Sequence, residues 1–245
     1  MRVTRIHVEV PLAAGIQIEL PENAANHLVR VLRLAVGDTC VLFNGDGHDY
    51  PARLLEVGKR MLRVELGPGI AINNESPLRM VLLQGVARGE KMDLILQKAT
   101  ELGVASLHPL YSQRSEVRLD GARADKRLAH WRGVVVSACE QCGRTNVPDV
   151  ATPLPLMRAL AALPIGGLRL ILDPDAAVSL SRLTLDASNP VYLAVGPEGG
   201  WSTMDIDQLS AAGFSGVRLG PRVLRTETAG LAAIAALQVL HGDLG

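Results

Sequence analysis

The chain has 245 residues, enough to bury a sizeable core in one large domain or two smaller ones. Its residues are 48% hydrophobic and 20% charged, which excludes a disordered chain, and 25 basic residues balance 25 acidic ones, which excludes a protein that coats nucleic acid indiscriminately. The opening MRVTRIHVEV alternates as a strand does and lacks the apolar core of a signal segment, and the uncharged run Thr228 to Gly242 holds Gln238 and His241, so a soluble, cytoplasmic protein is expected.

Over residues 1–70 the pattern is short strands and turns. RIHVEV sets Ile6, Val8 and Val10 against His7 and Glu9; IQIEL, TCVLFNGDGHDYPARLLEV with a turn at Asn44 to Gly47, and MLRVEL follow. ENAANHLVRVLRL reads as a helix among them, placing His27, Arg30 and Arg33 at spacings of three on one face, able to meet successive phosphates. GPGIAINNESP reads as a connector. The predicted division is a strand-rich module over 1–70, a linker over 71–78 and a second domain over 79–245.

From residue 79 strands alternate with helices. MVLLQGVA is a buried strand, EKMDLILQKATELG spaces Met92, Ile95, Leu96, Ala99 and Leu102 as a helix does, and VASLHPL is a second strand. A helix around Trp131, a short one at Leu154 to Leu163, the strands LRLILD and VYLAV, a helix at Thr203 to Ala212, the strand GVRLG and a last helix from Thr226 complete the chain. The alternation predicts an α/β domain with a parallel sheet covered on both faces. Residues 79–144 carry 11 Lys and Arg against 7 Asp and Glu, a modest basic surface. CEQC has redox-motif spacing, but no second CxxC or paired histidines supply further ligands, so small residues on a helix face are the preferred reading and no metal is expected.

In a parallel sheet, ligands sit beyond the carboxyl ends of the strands, where AVGPEGG and LGPRVLRTETAG both fall. GPEGG lacks the glycine order of a dinucleotide loop and the Lys-Ser/Thr of a P-loop, and it adds a carboxylate where phosphate would demand positive charge. Alone it reads as a tight turn with Glu198 in solvent. RVLRTETAG adds Arg222, Arg225, Glu227 and Thr228 at a strand-to-helix junction, with Thr226 as the expected N-cap of AGLAAIAAL. With two such loops at one sheet edge, a shared pocket is the favoured reading.

VGPEGGWS followed by LGPRVLRTETA closely resembles the signature of the small-subunit ribosomal RNA uridine-N3 methyltransferases, the RsmE family, within the SPOUT class of knotted methyltransferases. NHLVRVLRLAVGD, RGEKMDLILQKATELGV and EQCGR are similar to further family motifs, with Asn26, Arg88, Cys142 and Trp201 as departures. The resemblance implies a PUA-like RNA-binding barrel followed by a SPOUT domain with a deep C-terminal trefoil knot, in a homodimer. It implies methylation of uridine N3 in 16S ribosomal RNA, on the free RNA or the assembled small subunit, with S-adenosylmethionine as methyl donor. Carried onto this sequence, the donor site comprises Leu172 at one strand end, then Val195, Gly196, Pro197, Glu198, Gly199 and Gly200. Leu219, Gly220, Leu224, Arg225 and Thr226 complete it from the following loop.

Methylating uracil N3 removes an imino proton and spreads negative charge onto the carbonyl oxygens, so a planar arginine donor helps; Arg225 is placed for it. Glu198 and Glu227 are the nearby carboxylates for the proton, with burial expected to raise their pKa, and either instead serves to hold amides or an arginine. RNA contacts are expected from His27, Arg30, Arg33, Lys91, Lys98, Arg114 and Arg144, with Gln141 offering an amide to a base or ribose. Two rivals remain. A nucleotide-dependent oxidoreductase would need the missing glycine fingerprint, and a non-catalytic RNA-binding or ribosome-assembly protein would have no use for a donor site.

Overall fold

Alternation of buried and exposed positions builds the first sheet. The computed structural model describes residues 4–58, 61–117, 121–186 and 188–245. Its described residues fall into two units, one running to Glu75 and including Cys139–Val147, the other comprising Ser76–Ala138 and Pro148–Gly245.

The first unit contains β1 (Arg5–His7), β2 (Gln17–Glu19), α1 (Glu22–Asn26), β3 (Thr39–Phe43), β4 (His48–Val57), β5 (Leu62–Leu66) and β6 (Ile70–Ala71). The strand order is β1-β3-β4-β5-β2, with β6 paired to β4; β1 runs parallel to β3 and the other pairs are antiparallel. On β5, Leu62, Val64 and Leu66 are buried while Arg63 and Glu65 are exposed, the period-two pattern of a sheet with one face on the core. Leu28, Leu42 and Leu54 complete that core. The β3–β4 turn is fixed by Asn44, whose side-chain oxygen accepts the Asp46 N–H at 3.2 Å.

One expectation fails in this unit. After α1 the chain widens into a π-helical stretch, His27–Val31, in which Leu32 N–H donates to the His27 carbonyl at 3.0 Å. Arg33 lies beyond it at φ 59°, in the left-handed region. His27, Arg30 and Arg33 are all exposed, but they do not form the single α-helical face that spacing of three predicts.

The second unit contains β7 (Met80–Gly85), α2 (Glu90–Glu101), β8 (Ser106–Tyr111), α3 (Gly121–Cys142, whose last turn belongs to the first unit), β9 (Asp149–Val150), β10 (Leu154–Pro155), α4 (Leu156–Ala161), β11 (Leu168–Leu172), β12 (Val191–Val195), α5 (Thr203–Ala211), β13 (Ser215–Val217) and α6 (Thr226–His241). The order is β10-β8-β7-β12-β11-β13, with β9 beside β8 and every pair parallel. All residues of β7 and β12 are buried, as expected for central strands with both faces covered. On α2, Met92, Ile95, Leu96 and Ala99 are buried, the helical spacing read from the sequence. Gln238, fully buried on α6, donates to the Leu102 carbonyl at 2.9 Å and accepts the Ser76 hydroxyl at 2.6 Å, tying α6 to the end of α2. No helix among the described residues is long and apolar enough to cross a membrane.

Candidate active site

Because β7, β8, β11, β12 and β13 are parallel, their carboxyl ends share one edge of the second unit's sheet. A cleft of about 760 Å³ opens there. Its walls include Leu172 from the end of β11; Val195, Gly196, Pro197, Glu198 and Gly200 from the end of β12; and Leu219, Gly220, Leu224, Arg225 and Thr226 from the loop after β13 and the start of α6. Of the donor-site residues singled out in the sequence, Gly199 is not on this wall: its carbonyl accepts the Arg114 guanidinium at 3.1 Å. The cleft also takes in Asp173 and Asp175, Trp201, Ile206, Arg222, and Lys91 and Arg114, two residues first read as RNA contacts. Asp173 and Asp175 are the first and third positions after the strand LRLIL, and no pattern in the sequence singles them out.

Backbone packing explains the glycines. A methyl added to Gly85 at the end of β7 would meet the Pro197 nitrogen at 2.5 Å, so the two strand ends touch backbone to backbone. Gly200 sits at φ 66°, where a side chain is strained. The loop then enters α5 through a capping box, with Ser202 accepting the Asp205 N–H at 3.1 Å and Asp205 accepting the Ser202 N–H at 2.9 Å.

The carboxylates differ from expectation. Burial pushes Glu198 upward, but the Arg88 N–H, its own amide and the Lys91 ammonium outweigh it and hold the carboxyl below the ordinary range. Its Oε1 accepts Arg88 N–H at 3.0 Å and Lys91 Nζ at 3.4 Å, while Arg88 itself pairs with Glu116. Glu198 is therefore an engaged anion that clamps the β12 loop to the start of α2, a poor proton acceptor at neutral pH. Glu227 is half-buried in the first turn of α6, and its Oε2 is buried with no hydrogen-bond partner among the described residues. Thr226 is not the N-cap. Arg225 occupies that position, and Thr226 is the first helical residue, its hydroxyl donating to the Gly196 carbonyl at 2.5 Å.

The remaining predicted contacts separate. In the first unit, Arg144 is only 5% exposed and grips Glu75 at 2.5 and 3.0 Å, so it holds structure and does not present its charge to RNA. Gln141 is exposed in the same unit. In the second, Lys98 is partly exposed and bonds Glu101 at 2.9 Å. Cys139 of CEQC is buried, which pushes its thiol up to about 12.

The sequence model of the RNA methyltransferase domain matches residues 74–238, and that of the RNA methyltransferase PUA domain matches residues 20–67. The class is thus an RNA methyltransferase with an N-terminal PUA domain. A crystal structure of ribosomal RNA small subunit methyltransferase E from Neisseria gonorrhoeae, bound to S-adenosyl methionine, superposes with a TM-score of 0.94 at 41% identity, covering 100% of both chains. A putative methyltransferase from Legionella pneumophila in complex with the same cofactor gives 0.95 at 36% identity, again over 100% of both. The ribosomal RNA small subunit methyltransferase E of Buchnera aphidicola from Schizaphis graminum is 32% identical over 99% of this chain and 98% of its own. This chain belongs to the ribosomal RNA small subunit methyltransferase E family.

Proposed function

We propose that this protein transfers a methyl group from S-adenosylmethionine to N3 of a uridine in the 16S RNA of the small ribosomal subunit. The observation that carries the reading is the cleft at the ends of β11, β12 and β13, whose volume of about 760 Å³ lies within the range of small-molecule sites. Its chemistry fits the donor. Leu172, Val195, Leu219, Leu224 and Ile206 offer apolar wall to an adenosyl group, and the carboxylates of Asp173 and Asp175 suit a ligand carrying an ammonium and a sulfonium. When bound, S-adenosylmethionine supplies an electrophilic methyl group on its sulfonium.

The protein's own residues then have three tasks. Glu227 takes the imino proton, since its Oε2 is buried and has no hydrogen-bond partner among the described residues, whereas Glu198 is engaged. Arg225, exposed at the cleft, donates to the uracil oxygen on which negative charge collects; its guanidinium forms no ion pair among the described residues. Glu198, with Lys91 and the Arg88 amide, keeps the β12 loop in place. RNA is met by His27, Arg30 and Arg33 in the first unit and by Lys91 and Arg114 at the cleft. The C-terminal elements are read as the deep trefoil knot of the SPOUT class. A second copy of the chain is read as packing on the exposed Val239, Leu240 and Leu244, giving a cytoplasmic homodimer.

Calorimetric titration of S-adenosylmethionine into the purified protein is expected to show one site per chain. No binding would overturn the reading.

A further inference from the structure

Gln84 is a residue that no pattern in the sequence singles out. It lies at the penultimate position of β7, at the centre of a sheet buried on both faces, and is 1% exposed. Every other side chain on that strand is apolar or absent, and a carboxamide there is costly unless its hydrogen bonds are used. Its Nε2 donates to the Gly85 carbonyl at 2.9 Å and to the Thr226 hydroxyl at 3.0 Å. The Gly85 carbonyl only accepts, so the nitrogen must face it, and this fixes the amide's orientation. Thr226 Oγ1 therefore accepts from Gln84, and its own proton is directed to the Gly196 carbonyl at 2.5 Å.

The end of this chain of bonds explains its position. The peptide joining Gly196 to Pro197 has no N–H, so the Gly196 carbonyl is its one hydrogen-bonding handle. The same peptide is pressed against Gly85, where there is no room for a side chain. Gly230 on α6 also faces both Val195 and the Gln84 amide, so α6 approaches the two strands at a position without a side chain. Gln84 Oε1 is left without a hydrogen-bond partner among the described residues, a cost that a leucine at this position would avoid. A core that carries such a group where an apolar one would pack is held for orientation rather than stability.

We infer that Gln84 is a positioning residue for the methyl-donor cleft: acting through Thr226, it sets the direction of the Gly196 carbonyl and with it the loop that forms the cleft wall. The inference rests on the proposed donor site. Its test compares wild type, Thr226→Val, Thr226→Ser, Gln84→Leu and the double variant Gln84→Leu with Thr226→Val, measuring S-adenosylmethionine affinity by calorimetry and thermal stability in parallel. Gln84→Leu and Thr226→Val are each expected to weaken binding about tenfold, the worth of one oriented hydrogen bond in a buried site. The double variant should be no weaker than either single one, since all interrupt the same relay. Thr226→Ser, which keeps the hydroxyl, should bind within about threefold of wild type, and the melting temperature of Gln84→Leu should hold or rise. Wild-type affinity in Gln84→Leu, additive losses in the double variant, or loss of binding by Thr226→Ser equal to that of Thr226→Val would overturn the inference. If Gln84→Leu does not fold, the serine–valine comparison at Thr226 decides. Absence of binding by wild type would instead remove the donor-site reading itself.

Discussion

The residues assigned to the methyl donor and those assigned to RNA are built in opposite ways. In the second unit the loop after β12 that walls the cleft is held by bonds from elsewhere in the chain: Glu198 by the Arg88 amide and Gly196 by the Thr226 hydroxyl, with Gly199, just off the wall, held by Arg114. In the first unit His27 and Arg30 are exposed on a widened turn, and Arg33 is exposed just beyond it in a left-handed conformation. The first arrangement holds small groups in place through specific hydrogen bonds; the second offers long charged side chains that adjust to a phosphate backbone. Substitutions should therefore register in turnover and stability on one side and in RNA affinity and its salt dependence on the other.

The sharpest way to break this contrast is Glu227→Gln. It removes the proposed proton acceptor while keeping size, so kcat should fall by at least about 10²-fold in a methyl-transfer assay, with S-adenosylmethionine and RNA binding nearly unchanged. Next is Arg144→Ala. A buried guanidinium paired with Glu75 should cost about 3–5 kcal/mol when removed, read by denaturant unfolding, and equal stability would return Arg144 to the RNA surface.

A smaller effect is expected at Glu198. Its carboxyl is held below the ordinary range by its hydrogen-bond donors against the pull of burial. Its contribution to stability is therefore complete above the pKa of an unfolded glutamate and is lost as pH falls through the depressed folded value. Glu198→Gln should lower the melting temperature at neutral pH by about 2–4 °C, with the gap from wild type closing in acid. The smallest effect is at Arg33. Replacing it with glycine relieves the left-handed backbone, so stability should hold or rise by about 1 kcal/mol, while RNA affinity falls and the slope of its logarithm against salt loses about one unit.

Much of the second unit was legible because its signals are local. Full burial marks β7 and β12, α2 repeats its apolar residues at helical spacing, and parallel topology then brings the ends of β11, β12 and β13 to one edge. What escaped depends on distant partners. Gln84 has no local pattern, and its role appears only when α6 closes on it. The two-residue strands β9 and β10 are too short for any period, and Cys139–Val147 groups with the first unit through contacts far apart in sequence, such as Arg144 with Glu75. The π-helical turn after α1 escaped for a related reason: the same apolar spacing suits a widened turn that seats Leu28 in the core.

The most direct test is methyl transfer from isotope-labelled S-adenosylmethionine to small ribosomal subunits, and to free 16S RNA, from cells lacking this modification, with the product mapped by mass spectrometry. A single N3-methyluridine, formed by wild type and lost with Glu227→Gln, is the predicted result. A methyl group at another atom or in another RNA, or transfer undiminished by Glu227→Gln, would contradict the account.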